Sequence, residues 1–467
     1  MNTTNNTNNT NNNKTHAERG KFSGKIGYVM AVAASAVGLG NIWRFPYLAA
    51  QYGGGMFLIT YLILMVTFGY VLIVSETVLG RMTGKSPVGA FRAFGKKFPF
   101  KFGGWINAIV PVLIVPYYCV LGGWVVKYLV EYIKGNSLKL TSDEYFGSFI
   151  SNSAEVEICF LIFAAVVIFT ILLGVKKGVE KISKITMPIL LVLAVVVAIY
   201  SVTRKGALAG VEYFLVPRLE NFSVMTIVAA MGQMFYSLSL AMGILYTYGS
   251  YLEKDVDIDK TTKQIEIFDT AIAVLAGLMI IPAVFSFSGG NMETLKSGPS
   301  LMFVTMPKTF ESMGFGTIVG IVFFLLVLIA AMTSAISLLE TCVSTLYDEF
   351  KIKRKWATLI VAAIIVVIGT LSACGFGVLD HIKLLGMDIL DFLDFITNSI
   401  MMPIAAIATC VLILSVVGLN KIAEEVEISS KFKRKKLYCF FLKYCAIACL
   451  VIVLVSSIAN VLGFIKI

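Results

Sequence analysis

A chain of 467 residues that is 58% hydrophobic and only 14% charged has the composition of a polytopic membrane protein, which excludes disordered, collagen-like and disulfide-stapled classes. Its formal charge of +11 does not imply a nucleic-acid partner, because the basic residues are sorted to one side of a membrane. The eight cysteines, Cys119, Cys159, Cys342, Cys374, Cys410, Cys439, Cys445 and Cys449, sit in or beside apolar stretches without metal-ligand spacing, so they read as small buried residues.

Met1 to Asn13 is almost all Asn and Thr and lacks the charged and apolar regions of a cleaved secretory signal. Residues 1–20 are expected to be a disordered tail, and 21–467 a single domain. Eleven apolar runs follow, at roughly 26–49, 55–80, 104–130, 156–174, 185–203, 223–251, 267–288, 314–346, 356–374, 389–418 and 438–463. Each approaches or exceeds the length of about 20 residues that spans a bilayer. Lipid cannot satisfy backbone polar groups, so the runs are expected to be helices and the fold all-α. With the N-terminus in the cytoplasm, the inside segments carry 28 Lys and Arg against nine outside, so the eleventh helix leaves the C-terminus outside.

Two runs interrupt their own apolar pattern. In the first, Ser35, Gly38, Gly40, Asn41 and Arg44 fall within 34–46; in the sixth, Gly232, Gln233, Ser237, Ser239 and Gly243 fall within 232–243. Breaks in the first and sixth of ten spans point to an inverted 5+5 repeat, about 26–203 against 223–418, with discontinuous helices 1 and 6 meeting at mid-membrane. Unwound turns offer carbonyls to cations and helix N-termini to anions. Close helix packing explains Gly38 and Gly40 equally well, but an arginine inside the membrane, Arg44, is costly and normally has a paired, functional setting.

The segment Ala36-Val37-Gly38-Leu39-Gly40-Asn41-Ile42-Trp43-Arg44-Phe45-Pro46-Tyr47, followed by Gly53-Gly54-Gly55 and Phe57, resembles the signature of the neurotransmitter:sodium symporter family, in particular its bacterial amino-acid transporters with the LeuT-type fold. The likeness continues through Gly232-Gln233 to Tyr251, Thr333-Ser334 to Asp348 and Asp391 to Phe395. It implies sodium-coupled import of an amino acid across a bacterial inner membrane by alternating access. Two sodium ions are implied. The first falls to the Ala36 carbonyl, Asn41, Ser237 and Asp269, with the substrate carboxylate beside them; the second falls to the carbonyls of Ala34, Val37 and Ala330 and the hydroxyls of Thr333 and Ser334. Hard cations favour such oxygen donors. For Thr333 and Ser334, back-bonding to their own helix is the reading that the residues alone favour.

The resemblance assigns the substrate pocket to Ser35, Ala36, Gly38, Gly40, Ile114, Tyr118, Tyr236, Ser237, Ser239, Ala241, Met242, Ala335 and Leu338, with the Tyr118 hydroxyl on the substrate carboxylate. Gly38 stands where monoamine carriers have an aspartate, so a solute bringing its own carboxylate fits. The apolar lining, Met242 included, favours a hydrophobic or aromatic side chain such as that of tyrosine. Tyr61, Gln233, Ser237, Asp269 and Ala273 match the chloride site of chloride-dependent members; Asp269 there implies a built-in negative charge and chloride independence. Arg44 and Asp394, with Tyr118 and Tyr236, match the outer gate. Arg19 and Asp348, with Phe22, Ser250 and Tyr251, match the inner one, Phe22 replacing the usual tryptophan.

An enzyme is not expected, because the two histidines, His16 and His381, lie outside the runs and no nucleophile has a base at motif spacing. A continuous channel fits poorly with polar residues gathered at two breaks. An amino-acid-binding membrane sensor without net transport is the alternative. The expected partners are the amino acid, sodium and lipid, with at most a weak homodimer.

Overall fold

The computed structural model describes residues 20–95, 98–289, 299–461 and 463–464. The N-terminal tail lies outside them. Nine continuous helices among the described residues are long and apolar enough to cross a membrane: α3 (Gly55–Thr83), α4 (Phe100–Ile133), α5 (Ser153–Leu172), α6 (Val175–Val202), α9 (Ile258–Ser288), α10 (Gly316–Phe350), α11 (Arg354–Cys374), α12 (Ile389–Val417) and α13 (Lys435–Val461). A further span is a pair, α1 (Lys25–Ala36) and α2 (Gly40–Gln51), bent by 55° at the break.

The sixth predicted run is the exception. It is split into α7 (Val224–Ser237) and α8 (Ile244–Gly249), each shorter than a span. The expected eleven crossings thus appear by length and composition as up to ten, because helix length is lost where the chain unwinds.

Helix ends follow local chemistry. The Ser223 and Thr226 hydroxyls form a capping box at the start of α7, and the Asp257 carboxylate accepts from the Lys260 amide at 2.9 Å to open α9. Both satisfy amides that a first turn leaves unpaired. Gly84 and Gly289 close α3 and α9 in the left-handed conformation, which glycine adopts without steric cost. Pro111 and Pro116 lie inside α4, where each removes a ladder hydrogen bond.

The layering is centre against rim. α4 and α10 pack along each other at the centre, α1 packs on α6, α9 and α10, and α7 and α8 both pack on α3. The most apolar stretch of α4 is 78% buried and that of α13 only 22%, so α4 lies at the centre of the bundle and α13 at its rim. The two broken spans lie inside this shell.

Candidate functional site

α1 stops at Ala36 because Val37 turns extended (φ −78°, ψ 92°). The chain resumes as a wide π-helical turn at Gly40–Arg44. Across from it, α7 ends at Ser237, and Ser239 and Ala241 take left-handed φ values of 53° and 58°. Such backbone costs about 1–2 kcal/mol per non-glycine residue, so it requires partners. The Ser239 hydroxyl donates to the Ser35 carbonyl at 3.0 Å, and the Ala241 amide donates to Glu76 Oε1 at 2.9 Å. The two breaks are therefore held to each other and to α3.

Beside this junction lies a buried polar cluster. Asp269 is fully buried on α9; its Oδ1 accepts from Asn41 Nδ2 at 3.0 Å and from the Ser237 hydroxyl at 2.7 Å. Its Oδ2 accepts from the Tyr61 hydroxyl at 2.6 Å. Asn41 Nδ2 also reaches Ser237 Oγ at 2.8 Å, and Asn41 Oδ1 accepts from the Gly38 amide at 3.3 Å. Among the described residues Asp269 has no basic partner within 4 Å. A buried carboxylate supplied only with neutral donors is short of a cation, and the oxygens of Asp269, Ser237 and Tyr61 suit a hard one, although Asn41 turns its Nδ2 rather than its Oδ1 toward them. Gln233 Nε2 donates to the Gly40 carbonyl at 3.1 Å, whereas its Oε1 is buried without a partner among the described residues. Ala273, one turn along α9, is buried and brings no polar group.

On α10 the Ser334 hydroxyl crosses to the carbonyls of Ser35 and Val37, at 3.1 and 3.4 Å. Thr333 behaves differently. Its hydroxyl turns back to the Ile329 and Ala330 carbonyls, both at 3.1 Å, as an intrahelical threonine does. Ala34 is fully buried in the last turn of α1.

Between these clusters lies a cavity of about 30 Å³, enough for a water or an ion but not for an amino acid without side-chain movement. Eleven of the expected pocket residues line it: Ser35, Ala36, Gly38, Gly40, Ile114, Tyr118, Tyr236, Ser237, Ser239, Met242 and Leu338. Asn41, Ser334 and Ile244 join them. Ala241 and Ala335 are fully buried but stand outside the lining; the Ala241 amide is committed to Glu76. The Tyr118 hydroxyl accepts from the Leu39 amide at 3.2 Å, so it stands at the break itself.

Comparison with known proteins decides the family. The sodium:neurotransmitter symporter family model matches residues 19–141 and 130–464. The chain belongs to the sodium:neurotransmitter symporter family. An uncharacterized sodium-dependent transporter of Bacillus subtilis is 33% identical over 95% of this chain and 98% of its own, and one of Methanocaldococcus jannaschii is 32% identical over 90% and 86%. The rat sodium- and chloride-dependent GABA transporter 2 is 27% identical over 75% of this chain and 67% of its own. The crystal structure of MhsT in complex with L-phenylalanine matches with a TM-score of 0.84 at 35% identity, over 94% of this chain and all of that one. The chain is thus a multi-pass sodium-dependent symporter, not an enzyme.

At the symporter's expected outer gate, Arg44 and Asp394 do not pair directly: no ion pair joins them within 4 Å among the described residues. Asp394 Oδ1 instead accepts from the Tyr117 hydroxyl at 3.1 Å and from Asn398 Nδ2 at 2.5 Å. The Arg44 guanidinium lies 5.2 Å from the Tyr236 ring centroid, within cation–π reach. At the expected inner gate, Arg19 lies outside the described residues, and Asp348 Oδ2 accepts from the Ser86 amide at 2.7 Å. Phe22 is buried edge-on against Tyr28, Tyr248 and Tyr251, with ring centroids 6.0, 5.4 and 5.9 Å away. The Ser250 hydroxyl returns to the Thr247 carbonyl of its own helix at 2.5 Å.

Sequence reasoning passed over Glu76, Ile244, the Tyr117–Asn398 hold on Asp394, and Glu340, which accepts from Tyr251 at 2.7 Å and pairs with Arg354. Glu76 and Glu340 carried a readable signal, since an acid inside an apolar run is by default functional. Glu76→Ala leaves the Ala241 amide buried and unpaired, which is expected to cost about 1–3 kcal/mol. Thermal unfolding of the detergent-purified variant checks this; a melting temperature equal to that of the parent would mean that the Glu76 contact is energetically idle.

Proposed function

We propose that this symporter imports a hydrophobic or aromatic α-amino acid together with sodium, without needing chloride, by alternating access. The observation that carries the reading is the meeting of the two helix breaks at Gly38, where an absent side chain, the Tyr118 hydroxyl and the Asp269 cluster share one cavity. A substrate carboxylate placed there lies beside the cation site at Ala36, Asn41, Ser237 and Asp269, so each ligand strengthens binding of the other. Ala34, Val37, Ala330, Thr333 and Ser334 are read as a second sodium site. For Thr333 to serve, its hydroxyl must point its lone pairs away from its own helix while it continues to donate to a carbonyl.

The Asp269 carboxylate takes the place of an exchangeable anion, which is the basis for chloride independence. Ile114, Met242, Ile244 and Leu338 supply an apolar wall for the substrate side chain, and the phenylalanine bound by MhsT agrees with that chemistry. Arg44, Tyr118, Tyr236 and Asp394 are read as the outer closure. Arg19, Phe22, Ser250, Tyr251 and Asp348 are read as the inner one, with the N-terminus cytoplasmic in a bacterial inner membrane. Each sodium ion entering down a potential of 100 mV supplies about 2.3 kcal/mol.

Proteoliposomes loaded with potassium and diluted into sodium buffer are expected to accumulate labelled phenylalanine, tyrosine or leucine equally well with chloride or gluconate outside. Binding without gradient-driven accumulation would identify a sensor, and a strict chloride requirement would remove the role given to Asp269.

A further inference from the structure

A second hollow lies far from the helix breaks, on the outer surface between α6 and α10, with a volume of about 260 Å³. Its lining is apolar apart from one phenol: Val197 and Val319 form a buried floor, and Val196, Tyr200, Phe315 and Ile318 form the walls. Phe315 is 77% exposed and Ile318 61%, so the groove opens toward the lipid. At one end it meets a larger polar hollow bordered by Thr203, Arg204, Lys205 and Met313. Tyr200 belongs to the first hollow and donates to the Met313 carbonyl of the second at 3.1 Å, so the two are neighbours across that hydrogen bond.

The cationic end is arranged rather than loose. The Arg204 guanidinium lies 4.4 Å from the Tyr200 ring centroid. Its Nε donates to the Tyr200 carbonyl at 3.2 Å and its Nη2 to the Thr203 hydroxyl at 3.1 Å. Among the described residues neither Arg204 nor Lys205 has an acidic partner within 4 Å. The contact with the Tyr200 carbonyl caps the C-terminus of α6, and an apolar groove beside two cations without an acidic partner among the described residues is complementary to a molecule with one hydrocarbon end and one anionic end.

We propose that this groove binds an anionic phospholipid, with an acyl chain along Val197 and Val319 and the phosphate on Arg204 and Lys205. A zwitterionic lipid gains less, because its cationic group is brought against Arg204 and Lys205. The site would tie occupancy by lipid to the contact between α6 and α10.

Native mass spectrometry of the full chain, titrated in detergent with phosphatidylglycerol, with phosphatidylcholine of the same chains, or with inorganic phosphate, tests this. Phosphatidylglycerol is expected to be retained in preference, and the double variant R204Q/K205Q to lose about twenty-fivefold, at roughly fivefold per cation. Val319→Phe, which fills the floor, is expected to reduce retention while leaving both cations in place. Phosphatidylglycerol retention unchanged in R204Q/K205Q would overturn the proposal, as would inorganic phosphate binding as tightly as the lipid. Melting temperatures of both variants within a few degrees of the parent establish that the comparison is made on folded protein.

Discussion

Asp269→Asn is expected to lower sodium-driven amino-acid uptake in chloride-free buffer by about a hundredfold or more. Removing one charge from a buried ionic site typically costs about 3–5 kcal/mol, and among the described residues Asp269 is the one acid in contact with Asn41, Ser237 and Tyr61. Asparagine also replaces an acceptor by a donor, although Asn41, Ser237 and Tyr61 all donate to Asp269. If the negative charge is what matters, external chloride should restore part of the lost uptake, and gluconate should not. Unchanged chloride-free uptake by a well-folded Asp269→Asn protein would refute the role proposed for this carboxylate.

The second large effect is expected at Gly38. A Cβ there would stand 2.9 Å from Ser334 Oγ and 3.0 Å from the Tyr118 hydroxyl, both closer than ordinary contact. Overfilling a packed site costs about 1–3 kcal/mol, and a valine would also occupy the cavity intended for the substrate carboxylate. Gly38→Val should therefore weaken amino-acid binding, followed by scintillation proximity in sodium buffer, by at least about tenfold. The same overpacking should lower the melting temperature of the purified protein modestly, so binding is compared on protein that elutes as a single folded species. Full affinity in Gly38→Val would place the substrate carboxylate elsewhere.

The helical fold and its two breaks were legible in the sequence because they depend on local properties. Run length sets a span, and Gly38, Gly40 and the polar residues of 232–243 mark where it fails. The cluster at Asn41, Ser237 and Asp269 came from motif resemblance, and the structure brings those side chains together. What was not legible depends on tertiary placement. Ala241 was placed in the pocket, but in an unwound segment no helical phase tells which way a residue points, and its left-handed φ commits the amide to Glu76. Arg44 and Asp394 match as a pair, yet Asn398, one turn beyond Asp394, and Tyr117 on α4 hold the carboxylate. Glu76 and Glu340 lie inside continuous helices, where charge alone marks them and their partners, Ala241 and Arg354, are fixed only by tertiary packing.

The split between α7 and α8 has a consequence for how the protein is made. Its backbone between Ser237 and Ile244 cannot stay open toward lipid, where no water can pair it, and its holding partners, Glu76 and Ser35, come from spans synthesised earlier. The apolar run at 223–251 is long enough to enter the bilayer as one ordinary helix. The contacts that hold the unwound form, Ser239 on the Ser35 carbonyl and the Ala241 amide on Glu76, exist only with α1 and α3 packed around it. The break thus depends on tertiary contacts, and without the Glu76 carboxylate of α3 the Ala241 amide would gain more by returning to a helical hydrogen bond.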